Sequence, residues 1–385
     1  MNKKCFIWSL LIILLVGELT AQTDTAMGDT LLFKGQLSAF ELFNPSNTLP
    51  LWTGARYIPQ LNYEIKLPDR KQVDFEASAN IFGNFGFNPF DSIKAEGNVQ
   101  PYRLWARYSA PQFELRAGLQ KINFGSASLL RPLMWFDQRD PRDPLQLTTG
   151  VYGVLSRYYF LNNANIWIWG LYGNKNIKGW EEVPSNKKIP EFGGRFQAPV
   201  PKGEAAFTFH HRTADSRNFY LEDFQYEKVA ENKIGLDAKF DLTVGCWFEA
   251  TWVNKSKNMG MFTNQEIFNL GVDYTFGIGN GLNIVVEQLV AGFGEKPFAF
   301  EETATFSLLS MNYPIGLFDN ISSIVYFDWT NKTAYNFLTW QKQFNQFSLY
   351  VMGFINPKTY HLPTQNIAEN LYGGSGLQVM VVYNH

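Results

Sequence analysis

The densest group of charged side chains that could act together on a solute lies in one long connector, residues 122–149. Opposite charges that face each other across a narrow water path sort solutes by charge. A connector of this length needs a function or packing of its own, and Leu129, Trp135 and Phe136 supply apolar anchors. The sequence therefore predicts a pore constriction here, formed by Arg131, Asp137, Arg139, Asp140, Arg142 and Asp143.

A second group of arginines lies in the segments on either side of this connector. They fall on the positions that the alternation of polar and apolar residues assigns to the inner face of predicted strands. Guanidinium groups bind carboxylates and phosphates in a bidentate manner. The sequence thus predicts a basic ladder along one wall of a lumen, formed by Arg103, Arg107, Arg116, Arg157 and Arg195. Acidic residues with the same inward position, such as Asp74, Glu76 and Glu114, leave open a wall of mixed charge.

The sequence contains no catalytic or metal-binding pattern. His210 and His211 are neighbours in a predicted strand, so their side chains point to opposite faces and cannot share one metal ion. A glycine-rich turn begins at Gly277, but neither the Lys-Ser/Thr pair nor the helix of a phosphate loop follows it. Beyond the first 21 residues Cys246 is the only cysteine. We therefore predict no enzyme activity, no metal and no cofactor.

The elements that carry these residues are predicted strands of about ten residues, as in barrel proteins. In residues 72–82 the odd positions are apolar and most even positions are polar. A period of two puts the two sets on opposite faces of a strand. Residues 54–66 repeat the pattern, and the polar segment between them contains Pro68 and Asp69, which are typical turn residues.

The same rhythm continues along the chain. We predict 18 strands, with 16 as the alternative count, near residues 31–42, 54–66, 72–82, 101–109, 112–121, 150–160, 165–174, 191–198, 204–212, 232–242, 246–255, 265–276, 281–291, 302–312, 320–330, 334–343, 346–355 and 376–384. Connectors after odd strands are mostly long, as in residues 83–100, 122–149 and 356–375, whereas those after even strands are short. The predicted fold class is all-β, an antiparallel up-and-down transmembrane barrel with short periplasmic turns and long extracellular loops.

Composition agrees with a barrel. Phe, Tyr and Trp make up 16% of the chain, which suits aromatic girdles at two membrane interfaces, and we expect Trp167, Trp169, Trp252 and Trp329 to face outward. A sandwich with an aromatic core is the alternative. The mean hydropathy of -0.19 fits strands that are half polar. The net charge of -2 provides no basic surplus for nucleic acid.

The first residues predict export. Lys3 and Lys4 precede an apolar run at residues 6–16, and Ala21 ends a short segment typical of a cleavage site. This pattern indicates a signal peptide at residues 1–21. The remainder, residues 22–385, is predicted to be a single outer-membrane β-barrel domain.

One stretch, residues 115–144, resembles a known family. The matching residues are Arg116, Gly118, Gln120, Gly125, Arg131, Pro132 and residues 140–144. They are similar to a stretch of outer-membrane porin-like proteins, in particular the alginate-export and substrate-specific porin families. The resemblance implies an 18-stranded barrel whose third loop narrows the channel, and passive transport of a hydrophilic, often anionic, solute. The chain departs from those families at Leu119, where a second basic residue is common, and at its last residue, His385, where an aromatic residue is usual.

These observations favour an outer-membrane porin-like channel for passive diffusion of small hydrophilic solutes, with the third external loop as constriction; whether it selects anions is left open by the mixed charge of the predicted lumen. The expected partners are outer-membrane lipid and lipopolysaccharide, the barrel-assembly machinery, the solute itself and further copies of the chain. A non-channel barrel that anchors or docks surface or secretion machinery remains an alternative. An outer-membrane hydrolase is disfavoured because no nucleophile motif is present.

Overall fold

The computed structural model describes residues 29–89, 92–137, 143–218, 222–359 and 371–385. These residues form 18 β-strands and one short 3-10 helix, Glu222–Phe224. The predicted signal peptide, residues 1–21, lies outside the described residues. No helix within the described residues is both long and apolar enough to span a bilayer.

In chain order the strands are β1 (Thr30–Phe43), β2 (Leu51–Leu67), β3 (Lys71–Phe87), β4 (Ile93–Ala110), β5 (Phe113–Gln120), β6 (Val151–Tyr159), β7 (Asn165–Leu171), β8 (Glu191–Val200), β9 (Gly203–Ala214), β10 (Val229–Asp241), β11 (Gly245–Lys255), β12 (Asn264–Phe276), β13 (Leu282–Gly294), β14 (Glu302–Pro314), β15 (Asp319–Asp328), β16 (Thr333–Gln343), β17 (Phe347–Ile355) and β18 (Ser375–Asn384).

The strands form one closed antiparallel barrel. Each strand pairs with its neighbours in the chain, and β1 also pairs with β18. At this closing seam Gln36 lies opposite Asn384 and Phe43 lies opposite Leu377. Closure satisfies the backbone hydrogen bonds of the first and last strands, which would otherwise be free sheet edges. The predicted fold class and the count of 18 strands are confirmed.

The two faces of the barrel differ as the sequence alternation predicts. Large apolar side chains are exposed on the outer face, including Ile168 (62% exposed), Leu236 (49%) and Leu270 (61%). Their chain neighbours Asp237 and Asn269 point into the lumen and are buried there. Because successive side chains of a strand point to opposite faces, this separation extends along each strand.

The two ends of the barrel also differ. Each even-numbered strand is joined to the next strand by a short turn, as at residues 111–112 and 201–202. We call the end of the barrel that carries these turns the tight-turn end. The opposite, long-loop end carries the connectors at residues 121–150, 172–190 and 356–374. The prediction of a long connector at residues 83–100 is wrong, because β3 and β4 continue as a paired hairpin up to Phe87 and Ile93.

The wall has a step between β4 and β5. β4 pairs with β3 up to Ile93, but its pairing with β5 begins only at Leu104, opposite Leu119. β5 therefore ends far below the top of β4. The connector that follows β5 leaves the wall at this low point.

The predicted outward direction of the tryptophans is wrong for two of the four. Trp167 and Trp169 occupy the inward positions of β7, and Trp169 is only 2% exposed. Their alternating partners Ile166 and Ile168 take the outer face. Trp329 is 56% exposed, as expected. An aromatic residue in a barrel strand is thus as suited to packing a lumenal loop as to a membrane interface.

We expect a charge in the middle of the outer face to oppose insertion into lipid. Leu270→Arg, at the centre of β12, should destabilise the barrel by about 2–4 kcal/mol in a bilayer. Ile278→Arg, in the tight turn after β12, is the matched control and should cost at most about 1 kcal/mol, because it lies at the barrel end. Denaturant titration of barrels refolded into vesicles measures both. Equal costs would contradict a lipid-facing outer surface.

Candidate functional site

A long loop follows β5, and its described residues, 121–137 and 143–150, fill part of the lumen; we call these residues the lumenal loop. Two carboxylates on the opposite wall hold it: Glu249 of β11 and Glu287 of β13, here called the anchor carboxylates. Glu249 accepts hydrogen bonds from the backbone N–H groups of Ala127 (2.7 Å) and Leu133 (3.0 Å). Both anchor carboxylates are fully buried, at 0% and 1% exposure. The loop thereby crosses the lumen instead of projecting into solvent.

Glu287 binds three consecutive backbone N–H groups of the lumenal loop. The donors are Ser128 (2.7 Å), Leu129 (3.1 Å) and Leu130 (2.6 Å). The indole N–H of Trp247 donates a fourth hydrogen bond at 3.1 Å. A buried carboxylate is stable only when its lone pairs are satisfied, so these donors and the carboxylate depend on each other.

Apolar packing holds the other side of the lumenal loop. Phe124 stacks on Trp169 with ring centroids 5.6 Å apart, and Phe136 meets the same indole edge-on at 5.5 Å. These rings belong to one buried cluster with Ile122, Leu133, Trp135, Val151, Leu155 and Leu171. Trp169, on the inner face of β7, is therefore the surface against which the lumenal loop packs.

Two glycines allow this close approach. Gly125 has a φ of +102°, and a Cβ atom there would collide with the carboxylate of Glu249. Gly235 of β10 leaves room for the side chain of Leu133, which a Cβ atom would displace. Glycine at these positions thus permits contact between the loop and the wall.

The described residues of the predicted constriction differ in how far their side chains are buried. Arg131 is 8% exposed and donates to the Asn123 side chain (2.8 Å) and the Phe124 carbonyl (2.9 Å), so its charge braces the lumenal loop. Asp137 is 2% exposed and lies 3.8 Å from the Lys121 ammonium. Asp143 is partly exposed to the lumen and accepts from the backbone N–H of Leu145. Arg139, Asp140 and Arg142 lie outside the described residues.

The predicted basic ladder faces the lumen and divides into three parts. Arg107, Arg116 and Arg157 surround Glu114 near the tight-turn end, at 3.8, 3.0 and 3.6 Å. Arg107 also bonds both oxygens of Asp74 at 3.0 Å. This group holds three guanidiniums and two carboxylates.

The other two arginines of the ladder have structural partners. Arg103 donates to the carbonyl of Tyr102 and to the side chain of Thr148, which fixes the end of the lumenal loop. Arg195 forms a buried bidentate pair with Asp237, at 2.6 and 2.9 Å. Asp237 also accepts from Ser126 of the lumenal loop at 3.0 Å.

A buried ion network fixes a second loop, residues 172–190, to the wall of β8–β11. Lys178 pairs with Glu191 at 3.0 Å, and Lys233 donates to Glu181 at 2.8 Å. Lys255 reaches Glu182 at 2.9 Å. These ions lie between strands and loop, and all but Glu182, whose side chain is 15% exposed, are buried, so they hold the loop to the wall.

His210 and His211 point to opposite faces, as predicted. His210 is buried in the lumen against Trp169 and Glu191, whereas His211 contacts Phe192 on the outer face. Within the part of the chain that the structure describes, no group of three or more His, Cys, Asp or Glu side chains is arranged to hold a metal ion.

The anchor carboxylates are the residues that the sequence analysis missed. Both occupy inward positions of strands, where they resemble ordinary lumenal acids. Neither has a basic partner on the adjacent strands: Glu249 lies opposite Asn269 and Asp237, and Glu287 lies opposite Gly271 and Leu308. Glu76, opposite Asn62 and Trp105, has none either, so the sequence carries no signal that singles out the anchor carboxylates.

Loss of Glu287 should free the middle of the lumenal loop. In Glu287→Ala we expect amide hydrogen exchange at Ser128, Leu129 and Leu130 to accelerate at least tenfold, since each hydrogen bond to a charged group contributes about 1.5–3 kcal/mol. Exchange read by mass spectrometry on the folded barrel measures it. Glu266→Ala is the control, because Glu266 binds Phe298 of a different loop. Unchanged exchange in Glu287→Ala would show that the apolar cluster alone holds the loop.

Comparison with known proteins finds relatives by fold. No protein-family profile matches the sequence, and no curated protein matches it either. Among solved structures, Acinetobacter baumannii OccAB4 superposes with a TM-score of 0.55 at 11% identity, over 96% of this chain and 100% of that chain.

Two further solved structures are similar. Pseudomonas aeruginosa OccK7 (OpdD) gives a TM-score of 0.53 at 10% identity over 93% and 99% of the two chains. Acinetobacter baumannii OccAB1 gives 0.56 at 7% identity over 95% and 99%. At such identities the likeness concerns the fold alone. The chain therefore shares its barrel fold with these three structures over nearly its whole length.

Proposed function

We propose that this protein is an outer-membrane porin-like channel through which small hydrophilic solutes diffuse passively. The observation that carries the proposal is the lumenal loop, which two buried carboxylates tie across a barrel of 18 strands. A loop fixed inside a wide barrel narrows the lumen without unfolding the wall. The fold shared with the Occ porins and the apolar outer face support the same function.

The outer-membrane location follows from the same features. The predicted signal peptide at residues 1–21 would direct export, and the tight-turn end would face the periplasm with both termini. Lipopolysaccharide and the barrel-assembly machinery are the partners that such a location requires. The constriction is proposed to lie at the lumenal loop, where Asp143 is a partly exposed charged residue and Arg131 and Asp137 are buried.

The channel should conduct ions. Purified protein added to a planar lipid bilayer is expected to produce discrete current steps. Glu287→Ala should make the open current noisier than that of the unaltered protein, because the released loop moves in the water path. Glu266→Ala serves again as the control. Insertion without current steps would identify a sealed barrel and would contradict the proposed function.

We also propose a modest preference for anions, set near the tight-turn end of the lumen. Its support is that the three guanidiniums of Arg107, Arg116 and Arg157 are partly exposed to the lumen around Glu114 and Asp74. These side chains are 10–26% exposed, so their field acts on a water path. Lumenal charges act on passing ions with little screening over such short distances.

Neutralising two of these arginines should reduce anion preference. The double variant Arg116→Gln with Arg157→Gln is expected to lower the chloride-to-potassium permeability ratio by roughly twofold or more. Reversal potentials in a salt gradient measure this ratio. Lys342→Gln is the control, since Lys342 lies on the outer face and pairs with Asp319. If Lys342→Gln lowers the chloride-to-potassium permeability ratio equally, the arginines of the basic ladder do not set the preference for anions.

A further inference from the structure

Three polar side chains form a hydrogen-bonded group on the outer face of the barrel. They belong to β13, to β14 and to the turn after β15. The Ser307 hydroxyl donates to the side-chain carbonyl of Gln288, which is its cross-strand neighbour. The indole N–H of Trp329 donates to the Ser307 hydroxyl at 2.7 Å. We call Gln288, Ser307 and Trp329 the outer polar group.

The outer polar group lies at mid-height of the apolar outer face. Gln288 is the central residue of β13. It points in the same direction as Val286 and lies opposite Leu270, and both of these side chains are exposed. The middles of β7, β8, β9, β10 and β12 carry exposed apolar side chains on this face, namely Ile168, Phe196, Phe207, Leu236 and Leu270. A membrane barrel meets hydrocarbon at this height, where polar groups are costly and mark sites of interaction.

The Gln288 amide retains hydrogen-bonding capacity. A primary amide has two N–H donors and a carbonyl oxygen with two lone pairs. Within the described residues its nitrogen donates only to the carbonyl of Leu289, at 3.5 Å, and its oxygen accepts only from Ser307. The side chain is partly exposed. One donor and one lone pair are therefore left for a partner, and hydrocarbon chains can supply neither.

A large partner can approach this surface closely. The turn after β15, residues 329–332, is the shortest connector between two strands at the long-loop end. The wall of β15 and β16 therefore carries no long loop above it. Large apolar side chains surround the polar centre, since Trp329 is 56% and Leu338 of β16 is 57% exposed.

The loop between β13 and β14, residues 295–301, folds away from this surface. Phe298 packs on Trp252 of β11 at 5.9 Å, and Phe300 packs on Phe268 of β12 at 6.4 Å. Both phenylalanines have left-handed φ angles, +56° and +50°, which are strained for bulky residues. The ring contacts offset this strain and hold the loop over β11 and β12.

We propose that the outer face of β13–β16 is the interface of a homodimer, with a two-fold axis along the membrane normal beside Gln288. Each Gln288 amide then donates to the side-chain oxygen of the same residue in the other copy, so two equal hydrogen bonds lie at the centre of the interface. Trp329 and Leu338 of both copies pack around this centre.

A second copy of this chain fits the surface better than another occupant. Two copies span a bilayer in the same orientation, so a two-fold axis runs along the membrane normal and brings identical residues together at identical depth. An amide is both donor and acceptor, so Gln288 complements itself. An acyl chain has no hydrogen-bonding group, and an unrelated barrel would need a polar group at the same height. Hydrogen bonds between polar side chains stabilise association within membranes.

The mass of the purified barrel in a mild detergent tests the dimer. Size-exclusion chromatography with light scattering should give two chains per particle for the unaltered protein. Gln288→Leu should weaken the dimer roughly fivefold to a hundredfold, the value of two neutral hydrogen bonds. Asn232→Leu is the matched control, because Asn232 is an outer-face amide that pairs with His211 on β9 and β10.

Cross-linking in vesicles tests the same surface with Gln288 intact. The experiment uses a Cys246→Ser background, since Cys246 is a free thiol. Oxidation with copper phenanthroline should join two chains through Val286→Cys, because Val286 lies beside Gln288 on the outer face of β13 and is 43% exposed. Ile168→Cys, in the middle of β7 and 62% exposed, is the control and should remain a single chain.

The outcomes decide the proposal without touching the channel function. Two chains per particle, weakened by Gln288→Leu and joined through Val286→Cys alone, support the dimer. A single chain per particle with no cross-link in vesicles overturns it, and so do three chains per particle. Equal weakening by Asn232→Leu, or equal cross-linking through Ile168→Cys, also overturns it. Each copy keeps its own lumen, so current steps are expected from Gln288→Leu as well.

Discussion

The arrangement of the lumen depends on one constraint: a carboxylate buried in a barrel wall must find hydrogen-bond donors. Glu249 and Glu287 find theirs in five backbone N–H groups of a loop that starts on the other side of the barrel. The loop has an equal need, because its turns leave those donors without partners in its own chain segment. The wall carboxylates and the N–H groups of the loop thus satisfy each other's hydrogen-bonding capacity. The loop crosses the lumen because of these hydrogen bonds as much as because of apolar packing.

This crossing divides the interior into two kinds of wall. On β8–β11 nearly every inward charge is buried beneath a loop, as the pairs Lys178–Glu191 and Arg195–Asp237 illustrate. Such pairs contribute specificity of loop placement more than net stability. On β14–β18 the inward side chains near the tight-turn end are uncharged and partly exposed. The uncharged wall is therefore a different surface from the one that holds the loops.

Much of this architecture could be predicted from the sequence, because a period of two is a local signal that each strand carries by itself. All 18 strands were predicted near their observed positions, and the inward direction of Arg107 and Arg116 follows from the same period. How far a side chain is buried and which groups it contacts, in contrast, cannot be read from its local sequence. In the sequence Arg131 is indistinguishable from a pore-lining charge, yet in the structure its guanidinium donates to Asn123 and Phe124 of the same loop. The predicted outward direction of Trp169 is wrong because a membrane interface and the packing surface beneath a lumenal loop both favour a large aromatic ring.

The step in the wall between β4 and β5 has a consequence for where the lumenal loop can lie. Because this loop departs where β5 ends at Gln120, the length of that strand sets the height at which the loop crosses the lumen. Adding one pleat, two residues, to each strand of the β5–β6 hairpin would raise the departure point by about 6–7 Å along the strand. The same loop could thus be carried to a new depth with its internal contacts intact, but Glu249 and Glu287 would have to move with it. The height of the lumenal loop and the positions of its anchor carboxylates are therefore coupled.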